Sequence, residues 1–314
     1  MKTRFSVICF VTLLFLCSDD ASAAPLMGKP TGHYLPGPNA VEGAMNPPPG
    51  SDNLAIALVN YRFDTSRNNN GEKVSSPDID AWVSTLRWIH MFEDGLFGGT
   101  TGFNVAMTGA HMNTSSGDLP GQPWKRNFTK MGDPSVELMQ GWMFDQFAIR
   151  ARLGTYIPLG AYDKDEPVNF GKDFWSFHAQ LGGTAWFDEA RRLAFTAIGT
   201  YETNTYMKNY DVRPGDTFTL EGGLSYNVNE YVSVAASYWA AWQITNDQGS
   251  EKGYELPFMS PSGKHSVYGV GPYTRIMLPF IKPGTHLTLT WWREFDAKNR
   301  SEGNYIFSEF VFPF

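Results

Sequence analysis

Residues 217–245 read TFTLEGGLSYNVNEYVSVAASYWAAWQIT. Phe218, Leu220, Leu224, Tyr226 and Val228 alternate with Thr217, Thr219, Glu221, Ser225 and Asn227. After Asn229 the alternation resumes: Val232, Val234, Ala236, Tyr238, Ala240, Trp242 and Ile244 oppose Ser233, Ser237, Gln243 and Thr245. Successive side chains of a strand point to opposite faces. A period of two over ten or more residues therefore marks a strand with one apolar and one polar face. A third instance sets Phe147, Ile149, Ala151, Leu153 and Ile157 against Arg150, Arg152 and Tyr156.

Working outward from these, the chain divides into twelve such segments, with cores at 52–63, 79–92, 99–112, 134–144, 146–158, 174–187, 192–203, 217–228, 231–245, 265–278, 285–297 and 304–314. Soluble sheets use strands of about five to six residues. These are longer, and match the roughly nine to eleven residues that a tilted strand needs to cross a bilayer core. The connections alternate. Long ones fall at 64–78, 113–133, 159–173, 204–216 and 246–264, short ones around Gly95, Asp145, Glu189, Asn229 and Pro283, and a modest one runs from Lys298 to Gly303. Short periplasmic turns alternating with longer external loops thread a transmembrane barrel. Closure is required, because an open sheet edge in lipid strands backbone groups at a cost of several kcal/mol each. The expected fold is all-β: a single antiparallel up-and-down transmembrane barrel of about twelve strands over residues 52–314.

Composition agrees. The 314 residues hold 15% aromatics, 31 Gly and only 18% charged residues, against roughly 25% charged in an ordinary soluble domain. A mean hydropathy of −0.30 excludes a polytopic helical membrane protein. A net charge of −7 excludes a nucleic-acid binder working through a basic face, and the aromatic content excludes disorder. Lys2 and Arg4, the apolar run from Phe5 to Cys17, and Ala21-Ser22-Ala23 read as a secretory signal peptide over residues 1–23. Both cysteines, Cys9 and Cys17, lie inside it, so no disulfide is expected in the exported chain. Residues 24–51, with Pro47-Pro48-Pro49-Gly50, form an extended Pro/Gly-rich leader. It precedes the first strand at the periplasmic mouth and is expected to fold into the lumen as a plug.

Parity assigns faces. Arg62, Arg150, Arg152, His178, Gln180, Glu221 and Arg275 are expected to point inward, joined by Arg87 and Glu137, because Arg or Lys at the lipid midplane costs about 2–4 kcal/mol. The rings of Tyr156, Trp186, Trp239 and Tyr273 are expected to share that surface. Phe310, Phe312 and Phe314 share the lipid face of the last strand. They are expected to act as a membrane-insertion signature for the barrel-assembly machinery, with outer-membrane lipid as the surrounding partner. Trp82, Trp142 and Trp242 sit near strand ends, as an aromatic girdle does. No nucleophile–base pair, P-loop, dinucleotide fingerprint or metal-ligand spacing stands out, so no catalytic, cofactor or metal site is assigned. Eight strands enclose only side chains and sixteen or more leave a water channel. Twelve imply a narrow passage.

Four blocks resemble a known family. The first is Gly32-His33-Tyr34-Leu35-Pro36-Gly37 with the later Pro47-Pro48-Pro49-Gly50. The second runs Gly154-Thr155-Tyr156-Ile157-Pro158-Leu159-Gly160-Ala161-Tyr162-Asp163, then Asn169-Phe170-Gly171 and Phe174-Trp175-Ser176-Phe177. The third is Tyr201-Glu202-Thr203-Asn204 with Gly215-Asp216. The fourth is Arg293-Glu294-Phe295-Asp296-Ala297-Lys298-Asn299-Arg300 with Gly303. Together they resemble a family of outer-membrane proteins linked to the meta-cleavage pathway of phenol degradation. The resemblance implies an outer-membrane channel taking up a small hydrophobic or aromatic compound, and brings no catalytic residues with it. The alternatives are an adhesin or structural barrel whose external loops bind a partner, and an outer-membrane lipid-modifying enzyme.

Overall fold

Segments that alternate apolar and polar residues form the strands of the computed structural model between Asp52 and Pro313; it describes residues 31–115, 125–163, 166, 169–250 and 264–314. The expected signal peptide lies outside these residues. In chain order the strands are β1 (Asp52–Arg67), β2 (Lys73–Ser75), β3 (Asp78–Met91), β4 (Thr100–Ser115), β5 (Lys125–Met131), β6 (Ser135–Met143), β7 (Phe147–Tyr156), β8 (Ser176–Trp186), β9 (Leu193–Asn204), β10 (Thr217–Asn227), β11 (Val232–Gln243), β12 (Ser266–Met277), β13 (His286–Lys298) and β14 (Arg300–Pro313).

Each spanning strand pairs antiparallel with the next, and β14 returns to β1 from Asn53↔Pro313 to Arg67↔Arg300. The sheet is therefore a closed barrel of twelve spanning strands with two short additions, β2 and β5. The start of β1 and the end of β14 meet at one rim, where the Phe314 N–H donates to the Asp52 carbonyl at 2.9 Å.

The two additions occupy the long connections at 64–78 and 113–133. β2 is a small flap paired to the end of β1. β5 has a larger role. β4 pairs with β6 over Thr100–Ala106 and with β5 over Gly109–Ser115. β5 and β6 thus make one wall strand broken at Gly132-Asp133-Pro134, where Pro134 has no N–H to give to a ladder. The break takes Asp133 off the sheet. Its carboxylate instead accepts the N–H groups of Gly160 and Lys172, both at 2.8 Å. At the same end of the barrel, β13 and β14 are separated by Asn299 alone, which adopts φ 55°. The modest loop expected at Lys298–Gly303 lies within a longer excursion, because the β13–β14 ladder ends at Arg293↔Asn304.

Large apolar side chains cover the outer face: Leu138, Leu153 and Leu181 are each at least 60% exposed. A soluble domain does not leave a continuous belt of this kind in water. In lipid it is the required surface, as the outer face of a transmembrane barrel demands. Phe310 and Phe312 stand on this face, opposite Ile56 and Leu54 of β1. Phe314 is exposed at the rim.

Candidate functional site

The lumen has two unlike walls. On β6–β8 the register sets Glu137 opposite Gly154, and Gly154 opposite His178. A Cβ at position 154 would press into both side chains. Glycine there lets the His178 ring cross β7, so that His178 Nε2 reaches Glu137 Oε1 at 2.9 Å. Glu137 Oε2 accepts from Arg152 Nη1 at 3.3 Å and from Asn104 Nδ2 at 2.5 Å. Arg150 and Gln180 lie beside this cluster, all of them buried. The facing wall is aromatic. Trp239, Trp292, Tyr305 and Phe307 pack with Ala57, Val59 and Val267, the Trp292 and Tyr305 rings 4.8 Å apart.

Residues 31–46 of the leader run between these walls, held by charged groups. His33 stacks on Tyr156 with ring centroids 4.7 Å apart and planes 11° from parallel. Its Nε2 lies 2.8 Å from Asp133 Oδ2 and its Nδ1 2.6 Å from Ser176 Oγ. The His33 and Tyr34 N–H groups donate to the two oxygens of Glu202, at 2.6 and 3.2 Å. The Tyr34 hydroxyl donates to Glu221 Oε1, and Glu221 Oε2 accepts from the N–H groups of Gly37 (2.8 Å) and Asn39 (3.1 Å). Further along, Arg150 Nη2 donates to Asn39 Oδ1 at 2.9 Å and Arg275 Nη1 to Glu42 Oε2 at 2.7 Å. Gly37 takes φ 108°, and a Cβ there would meet the Trp292 ring and the Tyr305 hydroxyl, each at 2.8 Å. Only glycine fits this step across the aromatic wall.

Outside the spanning strands, burial tends to raise the Asp133 carboxyl. The His33 hydrogen bond and charge, with the N–H groups of Lys172 and Gly160, outweigh it and hold Asp133 below the ordinary carboxylate range. Burial pushes the Lys172 ammonium down to about 8. That ammonium donates to the Thr31 carbonyl at 3.0 Å and to the Gly32 carbonyl.

Ser176, His33 and Asp133 follow one another like a hydrolytic triad. Ser176, however, is 0% exposed, and its hydroxyl also donates to Asn204 Oδ1 at 2.6 Å. No substrate carbonyl can approach a hydroxyl so enclosed, and the arrangement is a fastening for the leader. Among the described residues no three His, Cys, Asp or Glu side chains converge to hold a metal ion.

This architecture has counterparts among known proteins. The family model described as "Putative MetA-pathway of phenol degradation" matches residues 63–310. The chain belongs to this family. An outer membrane channel from Pseudomonas putida F1 superposes with a TM-score of 0.74 at 15% identity, covering 90% of this chain and 100% of that one. The NanC porin gives a TM-score of 0.45 at 11% identity, with 82% and 97% covered. The β domain of the Bordetella autotransporter BrkA gives 0.46 at 12% identity, with 84% and 100% covered. No curated protein matches the sequence.

Of the residues assigned to the lumen from the sequence, Arg150, Arg152, His178, Gln180, Trp186, Glu221, Trp239 and Tyr273 are buried on the inner face, and Tyr156 and Arg275 are partly buried there. The leader lies against most of them. Ala44 and Met45 pack on Trp186, and Ala40 and Val41 on Tyr273. Arg87 also faces inward, paired with Glu309.

Arg62 does not. On β1, before the irregularity at Phe63/Thr65, the buried positions are Asn53, Ala55, Ala57 and Val59, so Arg62 has outward parity. Its side chain is 66% exposed, 3.3 Å from Asp80. Ten residues at about 3.3 Å along a strand tilted near 45° rise about 23 Å, close to the full height of an apolar band about 25 Å tall. Beyond that height an outward charge meets water and headgroups. Sequence reasoning also passed over Glu202, Glu294 and Trp292. All three share the buried parity of their strands, and that parity is the signal that would have found them.

Proposed function

We propose that this protein is an outer-membrane channel for small hydrophobic or aromatic compounds, occluded at rest by its own leader. One observation carries the reading: the leader is held by the charged groups of the wall, Glu202, Glu221, Arg150 and Arg275. Each such group exchanges water for a leader atom on docking, so the net gain per hydrogen bond to a charged group is held to about 1.5–3 kcal/mol. A segment fastened this way can leave without disturbing the barrel ladder, which closes on itself through β14 and β1.

The passage it vacates would be lined by Tyr156, Trp186, Trp239 and Tyr273, which offer flat stacking surfaces, and by Arg150, Arg152 and Arg275, which orient an acidic or phenolic group. The family description refers to phenol degradation and the Pseudomonas putida structure is called an outer membrane channel; both support this reading. So does the lack of an accessible nucleophile at Ser176, which favours transport over lipid chemistry.

The test is deletion of residues 28–50. Single-channel conductance in planar bilayers rises, and liposomes bearing the truncated protein swell faster in phenol and benzoate than in a sugar of similar size. Unchanged conductance refutes the occlusion, and equal swelling rates for all three solutes refute the substrate class.

A further inference from the structure

We infer that Glu221 and Gln180 form a recognition site for a phenolic hydroxyl, and that the ring of Tyr34 is its tethered occupant. This rests on the channel reading above and names the chemical class that the channel would select. A phenol hydroxyl offers one donor and two acceptor lone pairs, and all three positions are used at Tyr34. The hydroxyl donates to Glu221 Oε1, and accepts from Gln180 Nε2 and Asn39 Nδ2, each at 3.0 Å. Two of the three partners belong to the barrel wall, on β10 and β8.

Gln180 is held in place without the leader's help. Gln180 Nε2 also donates to Thr200 Oγ1 at 3.0 Å, and Gln180 Oε1 accepts from Arg150 Nη2 at 3.4 Å. Its position is therefore set by β7 and β9, while Glu221 is placed by its own strand, β10. Glu221 is 0% exposed and Gln180 4%, whereas Tyr34 itself is only partly buried. The His178 ring lies 6.2 Å from the Tyr34 ring, tilted by 48°. The lumen holds a second tyrosine–glutamate contact, Tyr61 with Glu294, but both of its members sit on wall strands. Tyr34 alone of the two comes from a segment that is not part of the sheet.

A free phenol reproduces each of these contacts. Entering the lumen, it competes with Tyr34 for the same oxygen and amide. Glu221 also holds the N–H groups of Gly37 and Asn39, so displacement of Tyr34 loosens the leader at its central anchor. A ligand that binds better when the leader is displaced shifts the population toward the open state. The permeant would thereby favour its own passage.

The experiment uses Tyr34→Ala in the full chain, with folding confirmed by heat-modifiable migration. It is titrated with 4-fluorophenol and 4-fluorotoluene and followed by fluorine NMR in detergent. Both wall groups remain in this variant, so the measurement does not need the leader to stay seated. The expected result is a protein-bound resonance for 4-fluorophenol, with affinity at least about tenfold above that for 4-fluorotoluene. The preference vanishes when Gln180→Leu is added. Equal affinity for the two compounds means an apolar hole only, and overturns the inference, as does the absence of binding to the folded variant. Either result leaves the channel reading intact if deletion of residues 28–50 still raises conductance. Phenol selectivity in a protein whose conductance ignores that deletion sinks the occlusion reading alone.

Discussion

Replacing Glu221 by alanine tests the hold of the wall on the leader at its strongest point. The carboxylate accepts from the Tyr34 hydroxyl, from the Gly37 N–H at 2.8 Å and from the Asn39 N–H at 3.1 Å. The hydroxyl keeps Gln180 and Asn39 as partners. The two backbone donors have no second acceptor among the described residues. A buried donor left unsatisfied costs about 1–3 kcal/mol. Water filling the space vacated by the side chain recovers part of this, so about 3 kcal/mol for the pair is a working figure. At about 1.4 kcal/mol per tenfold, the undocked population rises roughly a hundredfold. Glu221→Gln keeps one acceptor and most of the shape, so its effect should be nearer tenfold.

Open probability in planar bilayers reads this directly. The decisive arm repeats Glu221→Ala in protein lacking residues 28–50. With no leader left to release, the substitution should add nothing to the open probability of the truncated protein, so the two changes are non-additive. Parent-like gating of Glu221→Ala, or fully additive effects, would refute the reasoning.

Two further expectations follow from the same contacts. Arg150→Ala combined with Arg152→Ala removes two inward guanidinium groups, one of which holds Asn39 and the Met45 carbonyl; reversal potentials under a salt gradient should move toward cation selectivity, and an unchanged potential would exclude both residues from the ion path. Asp133 has a folded-state affinity for protons below its ordinary one, so its contribution to fastening His33 is present above about pH 4 and is lost as pH falls through the lower folded value. Open probability should rise on that acid limb, and Asp133→Asn should already be open at pH 7 and lack the limb.

The barrel was legible because its physics is local and repetitive. Along Thr217–Asn227 and Val232–Gln243 each side chain reports its own face, and the observed ends differ from the sequence reading by one or two residues. β5 was hidden for the opposite reason. Its Lys125-Arg126-Asn127 start is polar on both faces, because this stretch stands above the apolar band, where alternation no longer separates lipid from water. Arg62 was misplaced by the same effect.

That the leader enters the lumen could be expected from its place before the first strand. Its partners could not. His33 meets Ser176 and Asp133 from 143 and 100 residues away, and Tyr34 meets Glu221 from 187. No periodicity links such positions, and a Pro-rich segment carries no pattern of its own to align.

The pairing inside the wall supports a leader that comes and goes. Glu137 has Arg152 and His178, Glu309 has Arg87, Glu302 has Arg67, and Glu294 has Tyr61 with Arg300 nearby. These charges are neutralised within the barrel. Glu202 and Glu221 differ, because every hydrogen bond described for their carboxylates comes from the leader. Burying a carboxylate without a partner is costly, so an empty lumen must be wet at these two positions. Water entering there satisfies the same oxygens that the leader satisfies when docked. The closed and open states then differ by an exchange of hydrogen bonds rather than by their loss, which keeps the free-energy gap small enough for a modest ligand to reverse. An apolar plug in an apolar lumen would lack this property, since its removal would expose dry surface on both sides. The two leader-facing glutamates thus make the closure reversible, because water can take the place of the leader at each of them.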